Sequence, residues 1–388
     1  MPFDDGPRTR ILHYSTGFEQ PELVDAQGRR LRLEPEREGR FRCELALAGE
    51  LSFFLRDARG GEEDRPPGGG TYRLERDRRE SWLESGALLD VEPRRLEGAL
   101  VDAHTHPYRR ESGDRFAFDP AALLELPRHG VRAALTMLRG PLGEQRRSLG
   151  ALSRAHPWLV PLAWPRVGVD DPAEVERLLV AGFRGLKLHP YLDQRAADDP
   201  AMDPYLALAR RHRVPVQVHS AADDASRPER VLALAARFPE VPVVMVHSGL
   251  GIAERGAVLE AARERPNLYL ETSWVPADWV VAAIETVDSS RMLFGTDATV
   301  DGPLHYEQRS IAGPVGAPPM SVPELLAHVR ERVHPAAFAN WSLLTAVRLY
   351  RLRFAALLCE GVTRPADTGT SPPASGGGAR RSRAKGSR

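Results

Sequence analysis

Two imidazoles stand two residues apart at the end of an apolar run, His104 and His106 in "ALVDAHTHPY". Residues two apart in a strand share a face. Asp102, His104 and His106 are therefore expected to point inward together. Unpaired polar groups are costly in an interior, and a metal ion is one way to satisfy these three. A histidine pair alone also fits a surface loop or a hydrogen-bonded core. Further titratable side chains follow other apolar runs: Lys187 and His189 after "FRGL", His219 after "VPVQV", His247 after "VPVVMV" and Asp297 after "RMLFGT". Trp164, Glu271 and Trp274 close two more such runs. Imidazole and carboxylate donors suit zinc and other first-row divalent ions. A catalytic zinc keeps one position open for water and lowers its pKa to roughly 7. The expected cofactor is one divalent ion, zinc first.

The elements that must bring these residues together are legible between Arg95 and Leu358. The apolar runs "ALVDAHTH", "VRAALTML", "WLVPLAW", "FRGLKLH", "VPVQVHS", "VPVVMVHS", "NLYLETS" and "RMLFGTD" alternate with amphipathic helical segments. Eight such units in about 260 residues have the rhythm of an α/β, (β/α)₈ TIM barrel, whose chemistry sits at the C-terminal strand ends. All the residues above fall at that end. An open doubly wound sheet is the alternative, but His-Thr-His-Pro occupies the place of its glycine-rich phosphate loop.

Residues 1–90 read as a small β-sandwich: short alternating runs such as "RFRCELAL" and "LSFFLRDA", separated by turn signals. "GELSFFLRDARGGEEDRPPGGGTYRL" resembles the starch-binding type of carbohydrate-binding module. That resemblance implies sugar binding, yet Gly61-Glu62-Glu63-Asp64 stands where a sugar-stacking Trp would be. A structural or oligomerisation unit is the other reading, with a homo-oligomer as its consequence. The chemistry-bearing residues all follow Leu100, so a chain beginning near Glu92 is expected to fold and act alone. The barrel is bounded at 95–360. Residues 361–388 are Pro/Gly/Ser-rich and end in Arg380, Arg381, Arg383, Lys385 and Arg388, a disordered basic tail.

Formal net charge is zero, which removes a global electrostatic case for nucleic acid or anionic lipid; only the basic tail could touch nucleic acid weakly. Two cysteines, Cys43 and Cys359, fit a reducing compartment. There is no apolar targeting region and no 18-residue apolar stretch. A cytoplasmic protein with a small-molecule substrate, and no membrane, is expected.

"VDAHTHP", "GFRGLKLHP", "DPYLALARRHRVPVQVHS", "FPEVPVVMVHSG", "PNLYLETS" and "RMLFGTDA" resemble, in order, successive blocks of the amidohydrolase superfamily, in the branch with aminocarboxymuconate-semialdehyde decarboxylase. "TAVRLYRL" resembles that branch's closing helix, with Thr345 where Asn is usual. The resemblance implies His104, His106, His219 and Asp297 as metal ligands and His247 as the catalytic histidine, with Asp297 also a proton acceptor. Each has a rival reading: His219 as a histidine bonded to a carbonyl, Asp297 as a helix cap or ion-pair partner, His247 as structural support. Asp102 is expected to orient a ligand histidine from behind. Lys187 either binds a substrate carboxylate or, carboxylated, bridges two metals; one metal is favoured. His189, Trp164, Trp274 and Arg109 are expected against substrate, with Tyr108, Arg139, Tyr191 and His305 as further lining. The leading function is hydrolysis of an amide, ester or lactone-like bond by metal-activated water. Non-oxidative decarboxylation on the same site is the alternative, and a non-catalytic glycan- or partner-binding protein is the third reading.

Overall fold

A computed structural model describes residues 8–37, 39–47, 49–66, 70–74, 80–84, 86–112, 115–251, 256–298 and 320–354. The basic tail, Cys359 and His305 lie outside these residues, as does the side chain of Arg109.

Eight parallel strands form the C-terminal part: Leu100–Thr105, Val131–Met137, Leu159–Leu162, Leu186–Leu188, Val216–Ala221, Val243–Leu250, Leu268–Glu271 and Met292–Leu293. They pair in sequence order as a run of three and a run of five. Two bridges join the runs into a closed barrel: Ala163 to Leu186, and Thr105 to Ala298. Backbone bonds from Ala103 N–H to Phe294 O (2.9 Å) and Asp297 N–H to His104 O (2.8 Å) seal the second seam. These strands are runs of Val, Leu and Ala because both faces are covered, one by the barrel interior and one by helices.

The helices form because their sequences carry stop and start signals. Asp171 accepts from Ala173 N–H and Pro172 opens the helix Pro172–Val180. Ser321 and Glu324 make a reciprocal capping box on Val322–Arg330. The first connection departs from the expected plain helix. It holds a hairpin, Tyr108–Ser112 with Arg115–Phe118, and then a 3-10 helix at Leu123–His129 that contains Pro127. In the closing helix Thr345–Tyr350, Thr345 accepts from Arg348 Nη2 at 2.9 Å, so the hydroxyl finds a partner where an amide was expected.

The N-terminal part contains two sheets. One orders the strands Ala87–Leu89, Glu80–Glu84, Arg8–Ser15, Arg40–Leu47 and Glu34–Arg37; the other is built on Pro21–Asp25 and Leu51–Asp57. Leu12, Tyr14, Cys43 and Leu83 from the first share a core with Leu23, Phe53, Leu55 and Leu74 from the second. The boundary at residue 90 does not separate two cores. Ala87, Leu89 and Val91 are buried in the same cluster as Val101, Ala133, Leu162 and Val244 of the barrel and Tyr350 of the closing helix. Phe354 N–H also donates to Asp90 Oδ1 at 2.8 Å. No helix among the described residues is long and apolar enough to cross a membrane.

Candidate metal centre and its pocket

The first strand ends inside the barrel mouth with both imidazoles buried. His104 Nδ1 lies 2.8 Å from Gln217 Oε1, and Gln217 Nε2 donates to Ala103 O (2.7 Å) and Tyr350 Oη (3.0 Å). The amide is thereby oriented with its oxygen toward His104, so His104 Nδ1 carries the proton. His106 Nδ1 lies 3.0 Å from Met137 O, a pure acceptor, so it too carries the proton. Both Nε2 atoms are left as lone pairs. They stand 3.2 Å apart, at 3.3 and 3.1 Å from Asp297 Oδ1. Burial and the nearby Lys187 charge push the His104 imidazolium down to about 4, so it does not relieve this crowding by protonation near neutrality. Two nitrogen lone pairs and a carboxylate converging in a buried space fit a cation.

Asp297 and His247 complete this cluster. His104, His247 and Asp297 each bring a ligand atom within 4.8 Å of one another. Burial raises the Asp297 carboxyl, while its contacts with His104, His106 and His247 act the other way and hold the group well below the usual carboxylate range. Its other oxygen accepts from Trp274 Nε1 at 2.8 Å. His247, Ser248, Trp274 and Asp297 all have left-handed backbones, φ +61°, +43°, +61° and +61°. Such values in bulky residues are uncommon and collect where surrounding structure enforces them, often at functional sites.

A cavity of about 560 Å³ opens beside the cluster, lined by His104, His106, Tyr108, Arg139, Gly140, Trp164, Lys187, His189, Leu192, His219, His247 and Asp297. Trp164, His189 and His219 stack through it, at 5.7 Å and 3.8 Å between ring centres. Burial drives the imidazolium forms of His189, His219 and His247 well below their ordinary range, so this wall is neutral. Three buried donors in the lining have no hydrogen-bond partner among the described residues: Lys187 Nζ, Arg139 Nη1 and Trp164 Nε1. Burial pulls the Lys187 ammonium down to about 7, against the opposing charges of Asp297 and Glu271.

The structure brings together His104, His106, His219, His247, Asp297, Lys187, His189 and Trp164, all at the pocket. Two expectations are corrected in detail. Asp102 does not share the face of the two histidines. Its carboxylate takes Thr296 Oγ1–H (2.6 Å) and N–H (3.1 Å) and meets His104 through that residue's backbone N–H (3.2 Å). The pairing with Val131–Met137 shifts register between Asp102 and Thr105, which breaks the two-residue alternation there. Trp274 is not in the cavity wall; its indole N–H is spent on Asp297. Gln217 and Ser273 were not anticipated. Gln217 stands two residues before His219 on the same strand face, which is a signal that could have found it; Ser273 stands likewise two after Glu271.

The family described as Amidohydrolase matches residues 101–352. No curated protein matches the chain. Among solved structures, it is similar to a putative 2-pyrone-4,6-dicarboxylic acid hydrolase from Pseudomonas putida, at 16% identity over 65% of this chain and 97% of that one, TM-score 0.50. It is also similar to an amidohydrolase from Burkholderia multivorans, 17% identical over 66% and 99% of the two chains, TM-score 0.49. A third is 5-carboxyvanillate decarboxylase from Sphingomonas paucimobilis, 13% identical over 66% and 99%, TM-score 0.48. At these identities the likeness concerns the fold of the barrel.

Proposed function

The chain belongs to the amidohydrolase family, and from that premise we propose that it is a metal-dependent hydrolase of a small molecule that carries a carboxylate beside an ester, lactone or amide bond. The observation that carries this reading is one cavity lined by two unlike sets of groups. In the first, the lone pairs of His104 and His106 meet Asp297. In the second, Lys187 Nζ, which feels the Asp297 charge, and Arg139 Nη1 are buried without an acceptor among the described residues. Buried donors left unpaired cost roughly 1–3 kcal/mol each, and more for charged groups, until a ligand supplies the acceptor. A substrate carboxylate does so, and it also returns Lys187 toward its charged form.

His104, His106, His219 and Asp297 would hold one divalent ion, zinc by the chemistry of the donors. Bound there, the ion supplies Lewis acidity and lowers the pKa of water it holds to roughly 7. His247 would accept a proton at Nε2 and return it to the leaving group; burial keeps the ring neutral beforehand. Trp274 holds Asp297 through one oxygen and leaves Oδ1 for the ion. Trp164 and His189 give a flat wall suited to a planar substrate.

Decarboxylation is a second reading that the same unpaired Lys187 and Arg139 support, because they would hold a carboxylate whether it anchors or leaves. The N-terminal unit is read as a β-sandwich with a scaffolding or oligomerising role. Asp64, in the loop that would carry a sugar platform, instead accepts the Tyr14 and Tyr72 hydroxyls at 2.7 and 2.6 Å. The test is elemental analysis of the full chain purified without chelator, with turnover on carboxylate-bearing lactones, amides and arenes. Stoichiometric metal and hydrolysis without carbon dioxide support the first reading. Released carbon dioxide supports the second, and a metal-free, inert protein refutes both.

A further inference from the structure

Beyond the pocket wall, behind His247, lies a set of buried polar contacts that the reading above does not use. Glu271 ends the seventh strand and is fully buried. Its carboxylate takes three donors: His247 N–H at 3.0 Å, Ser273 N–H at 2.7 Å and Ser273 Oγ–H at 2.8 Å. Ser273 Oγ in turn lies 2.7 Å from His247 Nδ1. The two oxygens are shared so that Oε2 meets both the backbone of His247 and the hydroxyl that touches its ring.

Space is kept for this carboxylate. Position 295, two residues past the eighth strand, is glycine, and a Cβ there would overlap Glu271 Oε1 and press on His104 Cβ at 3.1 Å. The same carboxylate holds His247 in a backbone conformation bulky residues avoid, φ +61°. Ser248 adds a second tie to this strand end, its Oγ–H donating to Glu271 O at 2.8 Å.

We infer that Glu271 and Ser273 are positioning residues that fix the tautomer and direction of His247, with Nδ1 protonated and the Nε2 lone pair turned toward His104 and Asp297. Ser273 has one hydroxyl proton. Glu271 already accepts two backbone N–H groups, the pattern of a carboxylate anion, and burial raises it only to about 7, so above that pH the hydroxyl proton goes to Oε2. Ser273 Oγ is then an acceptor, and His247 Nδ1 must be the donor. His247 brings one ring nitrogen within 4.8 Å of ligand atoms of His104 and Asp297, and with Nδ1 engaged by Ser273 the nitrogen left for that cluster is Nε2. A metal-ligating or proton-accepting imidazole needs that free lone pair. The reverse chain, from a protonated Glu271 through Ser273 to His247 Nδ1, would put a proton on Nε2 and aim it at the ion. This inference rests on the functional reading only in naming what Nε2 faces.

The test uses the full chain labelled with ¹⁵N-histidine at pH 8, observing two-bond ¹H–¹⁵N correlations of the His247 ring, assigned by loss of the signal in His247→Gln. Zn²⁺ binding is measured in parallel by competition with a chromophoric chelator. The expected wild-type pattern is a protonated Nδ1 and a bare Nε2 without added metal. Ser273→Ala should convert the ring to mixed tautomers, and Ser273→Thr, which restores the hydroxyl, should recover the wild-type pattern. A wild-type ring protonated on Nε2 overturns the inference, as does an Ala variant that keeps a pure Nδ1–H form. If Ser273→Ala does not fold, the wild-type and Thr spectra still decide. A protein with the expected tautomer but no Zn²⁺ affinity would refute the metal reading and leave the relay standing.

Discussion

At the scale of the residue, His104 is the position where two independent constraints meet. Its Nδ1 is spent on Gln217 and its Nε2 on the cation cluster. His104→Asn should therefore leave a protein that folds but retains little divalent metal after dialysis, read by elemental analysis; retention at wild-type stoichiometry would remove His104 from the ligand set. Lys187 and Arg139 are the donors proposed for the substrate carboxylate. Lys187→Met should raise KM about ten-fold or more for a carboxylate substrate, from the loss of one charge-assisted hydrogen bond, and should raise it little for the corresponding methyl ester. Equal effects on acid and ester would show that Lys187 does not meet the carboxylate. The residue scale was only partly legible in sequence. Residue type and strand end pointed to His104, His106, His219, His247 and Asp297, but the tautomers depend on Gln217, Met137 and Ser273, which lie far along the chain from the rings they touch.

At the scale of the element, the turn after the eighth strand must pass between Glu271 and His104. Gly295→Ala forces overlap with Glu271 Oε1 and a close contact with His104 Cβ. Overpacking of this kind costs typically about 1–3 kcal/mol, so a lowered Tm together with weakened metal binding is expected. Unchanged values of both would mean that the strand end has room to shift. The alternation rule worked along most strands and failed at Asp102, where a register shift follows. No sequence pattern marks that shift, because it arises from closing the barrel between the first and eighth strands, where Asp102 pins Thr296.

At the scale of the whole molecule, the N-terminal sheets and the barrel share a core. A chain beginning at Glu92 loses Leu89 from a cluster it shares with Val101 and Tyr350. Burying one such side chain contributes about 1.5–3 kcal/mol, and the tie from Phe354 to Asp90 goes with it. The truncated chain should be markedly less stable than the full chain in a denaturant titration; equal midpoints would show that the two halves are independent. Stability should also follow pH in the metal-free protein. His104, His189, His219 and His247 are held neutral below the ordinary imidazole pKa. Across that window, which for His104 runs from about 4 upward, the unfolded chain binds more protons, so stability rises with pH. Burial raises Glu271 to about 7 and works the other way as pH climbs toward it. The four imidazoles outnumber the two carboxyls that burial raises, Glu271 and Asp193, and leave a net rise from acid toward neutrality. Lys187, lowered by burial to about 7, adds a further rise above that value. A Tm that falls steadily from pH 5 to 9 would contradict this sum.

What the sequence by itself determined was the list of chemistry-bearing residues and the end of the molecule they occupy. In a parallel barrel every strand runs the same way, so a titratable residue that closes an apolar run is delivered to the same mouth as all the others. That property is one-dimensional, and it survives ignorance of every contact. Only the tertiary structure decided which lone pairs face each other, that Asp102 ties Thr296 to the main chain of His104, that Trp274 serves Asp297 and that Glu271 stands behind His247. Each of these depends on the partner presented by a strand many residues away and on a separation near 3 Å, set by how the closed barrel packs.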